Sequence, residues 1–100
     1  MTYTVVATRE EDGRYSVYVP ALPGCVSWGH DVYEAFRMVE EAIELYLETL
    51  EEDGKRPPAD VTEVTVDMAQ TREAVVYKLP VTERKAEVPF GLREGAMAVA

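Results

Sequence analysis

One long stretch with helical spacing of apolar residues does most to limit the folds open to this chain. Side chains that recur three and four positions apart lie on one side of a helix and form a stripe that must be buried. The spacing predicts a helix over residues 32–53. The stripe comprises Val32, Ala35, Phe36, Val39, Ala42, Ile43, Tyr46, Leu47 and Leu50.

The residues at both ends of this stretch are suited to begin and end a helix. Asp31 can cap the first turn, and Glu34, three positions on, can reach back in a capping box. Gly54 suits the left-handed position after the last turn. Pro57-Pro58 prevents the helix from continuing. The helix is therefore predicted with defined ends.

The segments on either side of the helix are rich in the β-branched and aromatic residues typical of strands. Asp12-Gly13 favours a two-residue hairpin turn, which would pair Thr8 with Val17 and Val6 with Val19. Pro20 to Gly24 forbids regular pairing and predicts a rigid turn. Strands are predicted at residues 3–8, 15–19, 25–29, 61–67 and 74–79.

The predicted register gives the hairpin two largely apolar faces, because alternate side chains point to opposite sides of a sheet. One face would carry Val6, Tyr15, Val17 and Val19, and the other Tyr3, Val5, Ala7 and Tyr18. The helix can cover only one of them, and symmetric dimers commonly bury such a surplus apolar face. Self-association into a dimer or tetramer is predicted through Tyr3, Val5, Tyr18, Val75 and Tyr77.

The order of elements indicates an α+β fold of the form β-β-β-α-β, a small sandwich with one amphipathic helix on a mainly antiparallel sheet. Residues 1–70 are predicted to form the domain, and residues 71–100 to add an extra C-terminal strand and an extended tail. Residues 82–100 show no pair of amphipathic helices, so no DNA-binding domain is predicted there.

The charge of the chain favours a basic protein as its partner. Ten Lys and Arg against nineteen Asp and Glu give a formal net charge of −9, whereas nucleic-acid binding needs a basic surface. Sustained negative charge instead attracts and steers a basic protein. No export signal or membrane span is predicted, and a single cysteine allows no internal disulfide, so a cytoplasmic protein is expected.

Residues suited to catalysis are few. His30 is the sole histidine, and its position just before the helix is typical of a turn residue. Cys25 is the sole cysteine, and a buried apolar role is usual for a free cysteine. The helix glutamates, interrupted only by Arg37, form a solvated face whose evenly spread carboxylates are poor metal ligands. The sequence predicts no enzyme activity, cofactor or metal; the alternative, a metal-dependent nuclease, would need strand-end carboxylates, of which only Glu10, Glu63 and Asp67 are available.

The string Val19-Pro-Ala-Leu-Pro-Gly-Cys-Val-Ser27, which runs on through Asp31-Val-Tyr-Glu-Ala35 into the helix, resembles the HicB-like antitoxin family. The resemblance covers residues 3–67. It implies a partial ribonuclease-H-like fold without ribonuclease activity, and a role in binding and silencing a small basic RNA-cleaving toxin of the HicA type by occlusion.

Six residues are predicted to contact such a toxin, from the motif and from the acidic helix face: Leu22, Pro23, Trp28, Glu44, Glu48 and Glu51. The alternative within the same family is a solitary homo-oligomeric module that has no toxin of its own.

Overall fold

The computed structural model describes residues 1–69 and 71–81, which form one four-stranded sheet with a helix on one face. The strands stand in the order β3-β2-β1-β4, and each neighbouring pair is antiparallel. The predicted β-β-β-α-β order is confirmed. The predicted tail at 82–100 lies outside the described residues. The elements are β1 Thr2–Arg9, β2 Tyr15–Tyr18, β3 Val26–Gly29, α1 Val32–Glu52 and β4 Ala74–Pro80.

Helix α1 begins and ends at the signals present in its sequence. The Glu34 amide donates to the Asp31 carboxylate at 2.8 Å, which caps the first turn. At the other end Gly54 has φ of 71°, and the Lys55 amide donates to the Leu50 carbonyl at 2.8 Å. This pairing satisfies a carbonyl that the last turn leaves without a partner.

Of the two strands predicted after the helix, only the second is present in the described chain. Residues 61–67 form no regular strand, and the strand beside β1 is instead β4, the extra strand predicted at 74–79. Val61 and Val64 are three positions apart, so they cannot share one face of a strand. In β4, Val75, Tyr77 and Leu79 keep the period of two that strand packing requires. The proposed domain boundary at residue 70 stays a prediction.

The hairpin register differs by one residue from the prediction. The loop has three residues rather than two: the Glu10 amide donates to the Arg14 carbonyl at 2.7 Å, and the Gly13 amide to the Glu10 carbonyl at 3.0 Å. Gly13 then takes a left-handed φ of 93°. This is the three-residue hairpin in which a turn is followed by a left-handed glycine.

This shift changes which side chains share a face, because one residue of slip inverts the faces. Ala7, rather than Thr8, lies opposite Val17. Tyr3 and Val5 are fully buried beneath α1, so their predicted role in self-association is wrong. Six of the eight residues predicted for two opposite faces share one helix-facing surface: Tyr3, Val5, Ala7, Tyr15, Val17 and Val19. The other two, Val6 and Tyr18, lie opposite each other on the outer face, so the predicted place of Val6 beside Val17 and Val19 is wrong.

A half-buried carboxylate, that of Asp60, ties the chain that follows the helix to the start of β1. Asp60 accepts hydrogen bonds from the Thr4 amide at 2.9 Å, the Thr4 hydroxyl at 2.8 Å and the Lys78 ammonium at 2.9 Å. Desolvation raises the pKa of Asp60, but the hydrogen bonds from Thr4, Lys78 and the Val61 amide outweigh it and lower the pKa to about 2. Asp60 therefore joins the connecting segment to β1 and β4.

The free energy of unfolding should depend on pH through Asp60. Its pKa falls from 3.8 to about 2 in the folded protein, and its side chain is only 19% exposed. The ionised carboxylate therefore contributes about 2 kcal/mol above pH 4, which is lost as the pH falls through 2. Urea unfolding of wild type and Asp60→Asn from pH 6 to pH 2 should show a difference of about 2 kcal/mol that shrinks with acidification. A constant difference would contradict this role.

Candidate functional site

The exposed side of α1 carries a line of carboxylates. Glu44, Glu48 and Glu51 are four and three positions apart, so they follow one another along the helix. Glu44 and Glu48 are half-buried and Glu51 is exposed. The buried residues Ala35, Val39 and Ile43 occupy the opposite side. The helix thus presents negative charge away from the sheet.

An apolar cleft of about 430 Å³ lies between α1 and the loop that leads into β3. The loop closes on itself, because the Cys25 amide donates to the Leu22 carbonyl at 2.9 Å and the Val19 amide to the Cys25 carbonyl at 3.1 Å. This places the loop as one wall of the cleft and the second half of α1 as the other. The lining residues are Gly24, Cys25, Val26, Ala42, Leu45, Tyr46, Thr49 and Leu50.

Cys25 belongs to the core as well as to this cleft. It is 4% exposed, and burial raises the pKa of its thiol. A raised pKa keeps the sulfur protonated and weakly nucleophilic at neutral pH. The predicted role of Cys25 as a small buried apolar residue is confirmed.

A second group of side chains lies on the sheet face that points away from α1. Trp28 pairs with Ser16 on this outer face and is 48% exposed. The Arg14 guanidinium stands 5.0 Å from the centre of the Trp28 ring, and the His30 ring lies 5.2 Å away edge-on. Cation–π contact of this kind orients an exposed tryptophan.

His30 lies in the turn before α1 and supports the start of the helix. Its amide donates to the Glu34 carboxylate at 2.6 Å, and its ring Nδ1 lies 2.9 Å from the same oxygen. The hydrogen bond from the His30 amide, followed by that from its ring, lowers the pKa of Glu34. Glu34 therefore reaches back to His30, one residue beyond the Asp31 amide that the capping-box pattern predicts.

The structure does not bring the six predicted toxin-contact residues together. Leu22 is fully buried, so it has no surface to offer a partner; the compact loop turns it into the core. Pro23 is exposed at the tip of the same loop. Trp28 lies on the face opposite the helix, so it cannot share one surface with the three glutamates.

Two exposed apolar residues beside the cleft were not among the predicted site residues: Leu45 on α1, and Val26 of β3, whose side chain shares the outer face with Tyr18, its pairing partner. Val26 is 63% exposed and Leu45 is 64% exposed, and both border the cleft. Leu45 could have been found from the sequence, because it is an apolar residue placed off the buried stripe and between glutamates. Val26 could not, because its exposure depends on the register of β3.

The remaining self-association residues are also divided between two faces. Tyr18 is half-buried on the outer face, opposite Val6. Val75 and Tyr77 lie on the helix-facing side of β4, where the Tyr77 ring stacks on Phe36 at 5.3 Å. Val75 and Tyr77 thus belong to an edge strand, and they do not share one apolar face with Tyr18.

Two negative findings concern the described residues alone. Within 1–69 and 71–81, His, Cys, Asp and Glu side chains are nowhere grouped in threes suited to hold a metal ion. In the same part of the chain, α1 is not apolar enough to cross a membrane.

Comparison with known proteins identifies the family. The model of the HicB_like antitoxin of bacterial toxin-antitoxin systems matches residues 3–86. The chain belongs to the HicB-like antitoxin family. A UPF0150 protein of Thermoplasma acidophilum is 46% identical over 67 residues, which cover 66% of this chain and 97% of that protein.

Solved structures of HicB-like antitoxins have the same fold. The N-terminal domain of the Burkholderia pseudomallei antitoxin HicB is 27% identical, with a TM-score of 0.59 over 82% of this chain and 99% of that one. A chain of the HicA3 and HicB3 toxin-antitoxin complex is 18% identical, with a TM-score of 0.59 over 82% and 99% of the two chains. One helix on a four-stranded antiparallel sheet is thus the fold of HicB N-terminal domains.

Proposed function

We propose that this protein is an antitoxin that binds a small basic RNA-cleaving toxin of the HicA type and blocks access of RNA to it. The observation that carries the proposal is the family match over residues 3–86, which spans the whole sandwich including β4. The toxin-antitoxin complex of HicA3 and HicB3 contains a chain of the same fold. The protein acts in this proposal by occlusion, without chemistry of its own.

The helix side of the domain suits a basic partner. The line of Glu44, Glu48 and Glu51 supplies negative charge, and the cleft beside Leu45 supplies apolar contact area. Charge of one sign raises the rate of encounter, while buried apolar contacts lower the rate of dissociation. The net charge of −9 also opposes direct binding of nucleic acid.

The proposal is tested with the purified protein and a basic candidate toxin encoded by the neighbouring reading frame. The toxin alone should cleave RNA, and one equivalent of this protein should stop the cleavage. Undiminished cleavage would contradict the antitoxin role. Magnesium-dependent cleavage of RNA by the isolated protein would instead support a nuclease.

The acidic helix line should control the association rate. Glu44→Gln, Glu48→Gln and Glu51→Gln together leave helix propensity nearly unchanged, so a change in rate reports charge. We expect the on-rate at low salt to fall by on the order of tenfold, and wild type to slow as salt shortens the Debye length to about 8 Å. Stopped-flow measurement with the candidate toxin provides the check.

A control variant that removes the same total charge elsewhere tests whether the position of the negative charge on the helix matters. Glu11→Gln, Glu63→Gln and Asp67→Asn remove the same charge from the hairpin loop and from the segment before β4. This variant should retain an on-rate close to that of wild type. Equal on-rates for both triple variants would show that the helix line has no special part in steering.

A further inference from the structure

The cleft beside α1 and the last described residue, Val81, lie at the same end of the sheet. The Val81 amide donates to the Met1 carbonyl at 2.7 Å, so the chain leaves the sheet beside the start of β1. Strand β2 runs antiparallel to β1, and the loop that forms one wall of the cleft therefore begins at this end too. The second half of α1 also lies here, because the Tyr3 hydroxyl donates to the Pro58 carbonyl just beyond the helix.

The cleft offers an apolar surface that the described part of the chain leaves open. Its volume is about 430 Å³, within the range of clefts that bind ligands and large enough for a phenylalanine ring. Leu45 is 64% exposed at its rim. Exposed apolar surfaces of this kind commonly mark a place where another segment or a partner binds.

The second half of α1 places strong negative charge next to this cleft. Residues 41–53 hold six acids and no base, a net charge of −6. Residues 82–100, which follow Val81, hold three of the ten bases of the chain, Arg84, Lys85 and Arg93, together with three acids. Adjacent bases at 84 and 85 are attracted to an acidic helix face. By charge, the segment that follows β4 is suited to the surface beside the cleft.

The same segment carries apolar side chains within reach of the cleft. Val88, Phe90 and Leu92 alternate along the sequence, and Phe90 comes nine residues after Val81. An extended chain spans up to about 3.3–3.6 Å per residue, so nine residues can cover roughly 30 Å. Neighbouring strands stand about 4.8 Å apart, so β3 lies only about 15 Å across the sheet from β4. The Phe90 ring can therefore reach the cleft while every strand stays in place.

We propose that residues 84–92 fold back over the second half of α1 and place the Phe90 ring in the cleft. Arg84 and Lys85 then lie along the acidic side of the helix, and the ring covers the exposed part of Leu45. This contact is internal to the chain and goes beyond the proposed antitoxin function. A basic partner that binds the helix side has to displace the segment, and this consequence alone rests on the proposed function.

Disulfide formation in the full chain tests where the segment lies. Leu45→Cys is combined with Gly91→Cys, which keeps the Phe90 ring, and oxidation at low micromolar protein is followed on non-reducing gels. The comparison pair is Tyr33→Cys with Gly91→Cys, because Tyr33 is 83% exposed and lies about 18 Å away along the helix, at about 1.5 Å per residue. A disulfide needs Cα atoms within about 7 Å, so the Leu45 pair should close on the order of tenfold faster. Cys25 does not compete, because burial raises the pKa of its thiol.

A change in the ring itself separates docking from mere proximity. Phe90→Ala, added to the Leu45 pair, should slow closure on the order of tenfold, because the apolar area of the ring is no longer buried. The matched control is Met97→Ala, an apolar residue beyond the proposed contact, which should leave the rate unchanged. Equal rates for the Leu45 and Tyr33 pairs, or no effect of Phe90→Ala, would overturn the proposal. So would a disulfide mainly between two chains, which would mean that a second copy occupies the cleft.

Nuclear magnetic resonance of the wild type keeps the test valid if the cysteine variants do not fold. Phe90→Ala alters only the segment after β4, and it should shift the amide signals of Ala42 and Thr49, which line the cleft. The amide signal of Tyr33, at the other end of the helix, should stay where it is. Unchanged signals of Ala42 and Thr49 would overturn the proposal, because the ring would then lie elsewhere.

Discussion

Gly29→Ala should destabilise the protein by on the order of 3 kcal/mol, at the upper end of the cost of overpacking. A Cβ atom at this position would lie 2.8 Å from the Ala35 Cα and 2.8 Å from the Glu34 carbonyl carbon, and closer still to the Ala35 amide nitrogen. All three are backbone atoms of the first turns of α1. They cannot move aside like the end of a flexible side chain, so the helix itself would have to shift away from β3.

Urea unfolding followed by circular dichroism measures this loss. Gly24→Ala is the matched control, because a Cβ there meets nothing within 4 Å although φ is +83°. Its cost should be only the strain of a left-handed alanine, about 1–2 kcal/mol. A smaller loss for Gly29→Ala than for Gly24→Ala would mean that α1 does not pack this closely on β3.

Leu22→Ala should lower the free energy of unfolding by about 2–5 kcal/mol, the range for removing a large buried aliphatic side chain. Leu22 is fully buried and belongs to the cluster that includes Ile43 and Val39. The motif that contains Leu22 was predicted to contact the partner, so this variant distinguishes a core role from an interface role. Thermal and urea unfolding at equal protein concentration provide the measurement.

Pro23→Ala is the control for Leu22, because it alters the next residue of the same loop, which is exposed. It should change the unfolding free energy by well under the loss expected for Leu22. Near-native stability of Leu22→Ala would show that the loop does not pack as the structure has it. The fraction of Leu22→Ala that stays folded should bind a toxin with the affinity of wild type.

Leu22 is buried and its neighbour Pro23 is exposed. A sequence motif can therefore identify a family without showing which of its residues form the partner-binding surface. Both residues stand in the string that carries the resemblance, and the sequence gives no sign of which one is buried. The closure of the loop decides it, because the hydrogen bonds of Cys25 with Leu22 and Val19 turn the leucine inward. Leu45 is the opposite case, an exposed residue that its position off the buried stripe could have revealed.

The sequence by itself determined the elements whose formation depends on residues close to one another along the chain. Helix α1 follows from the apolar stripe, the Asp31 cap and the left-handed Gly54, all of which act within a few residues of one another. The order of strands and helix, and the excess of acidic residues in the first 60 positions, also needed no tertiary information.

Only the tertiary structure decided which faces of the strands meet the helix and which segment completes the sheet. The hairpin faces depend on a loop of three residues rather than two, and either loop suits Asp12-Gly13; one residue of difference inverts every side chain. The last strand depends on contacts distant in sequence, since Asp60 ties one segment to Thr4 while β4 pairs along β1. The Asp60 contact uses the β2 side of β1 and leaves the other edge to β4. Local preference cannot choose between residues 61–67 and 74–80 for that edge, because the free energy of strand pairing depends on packing across the whole sheet.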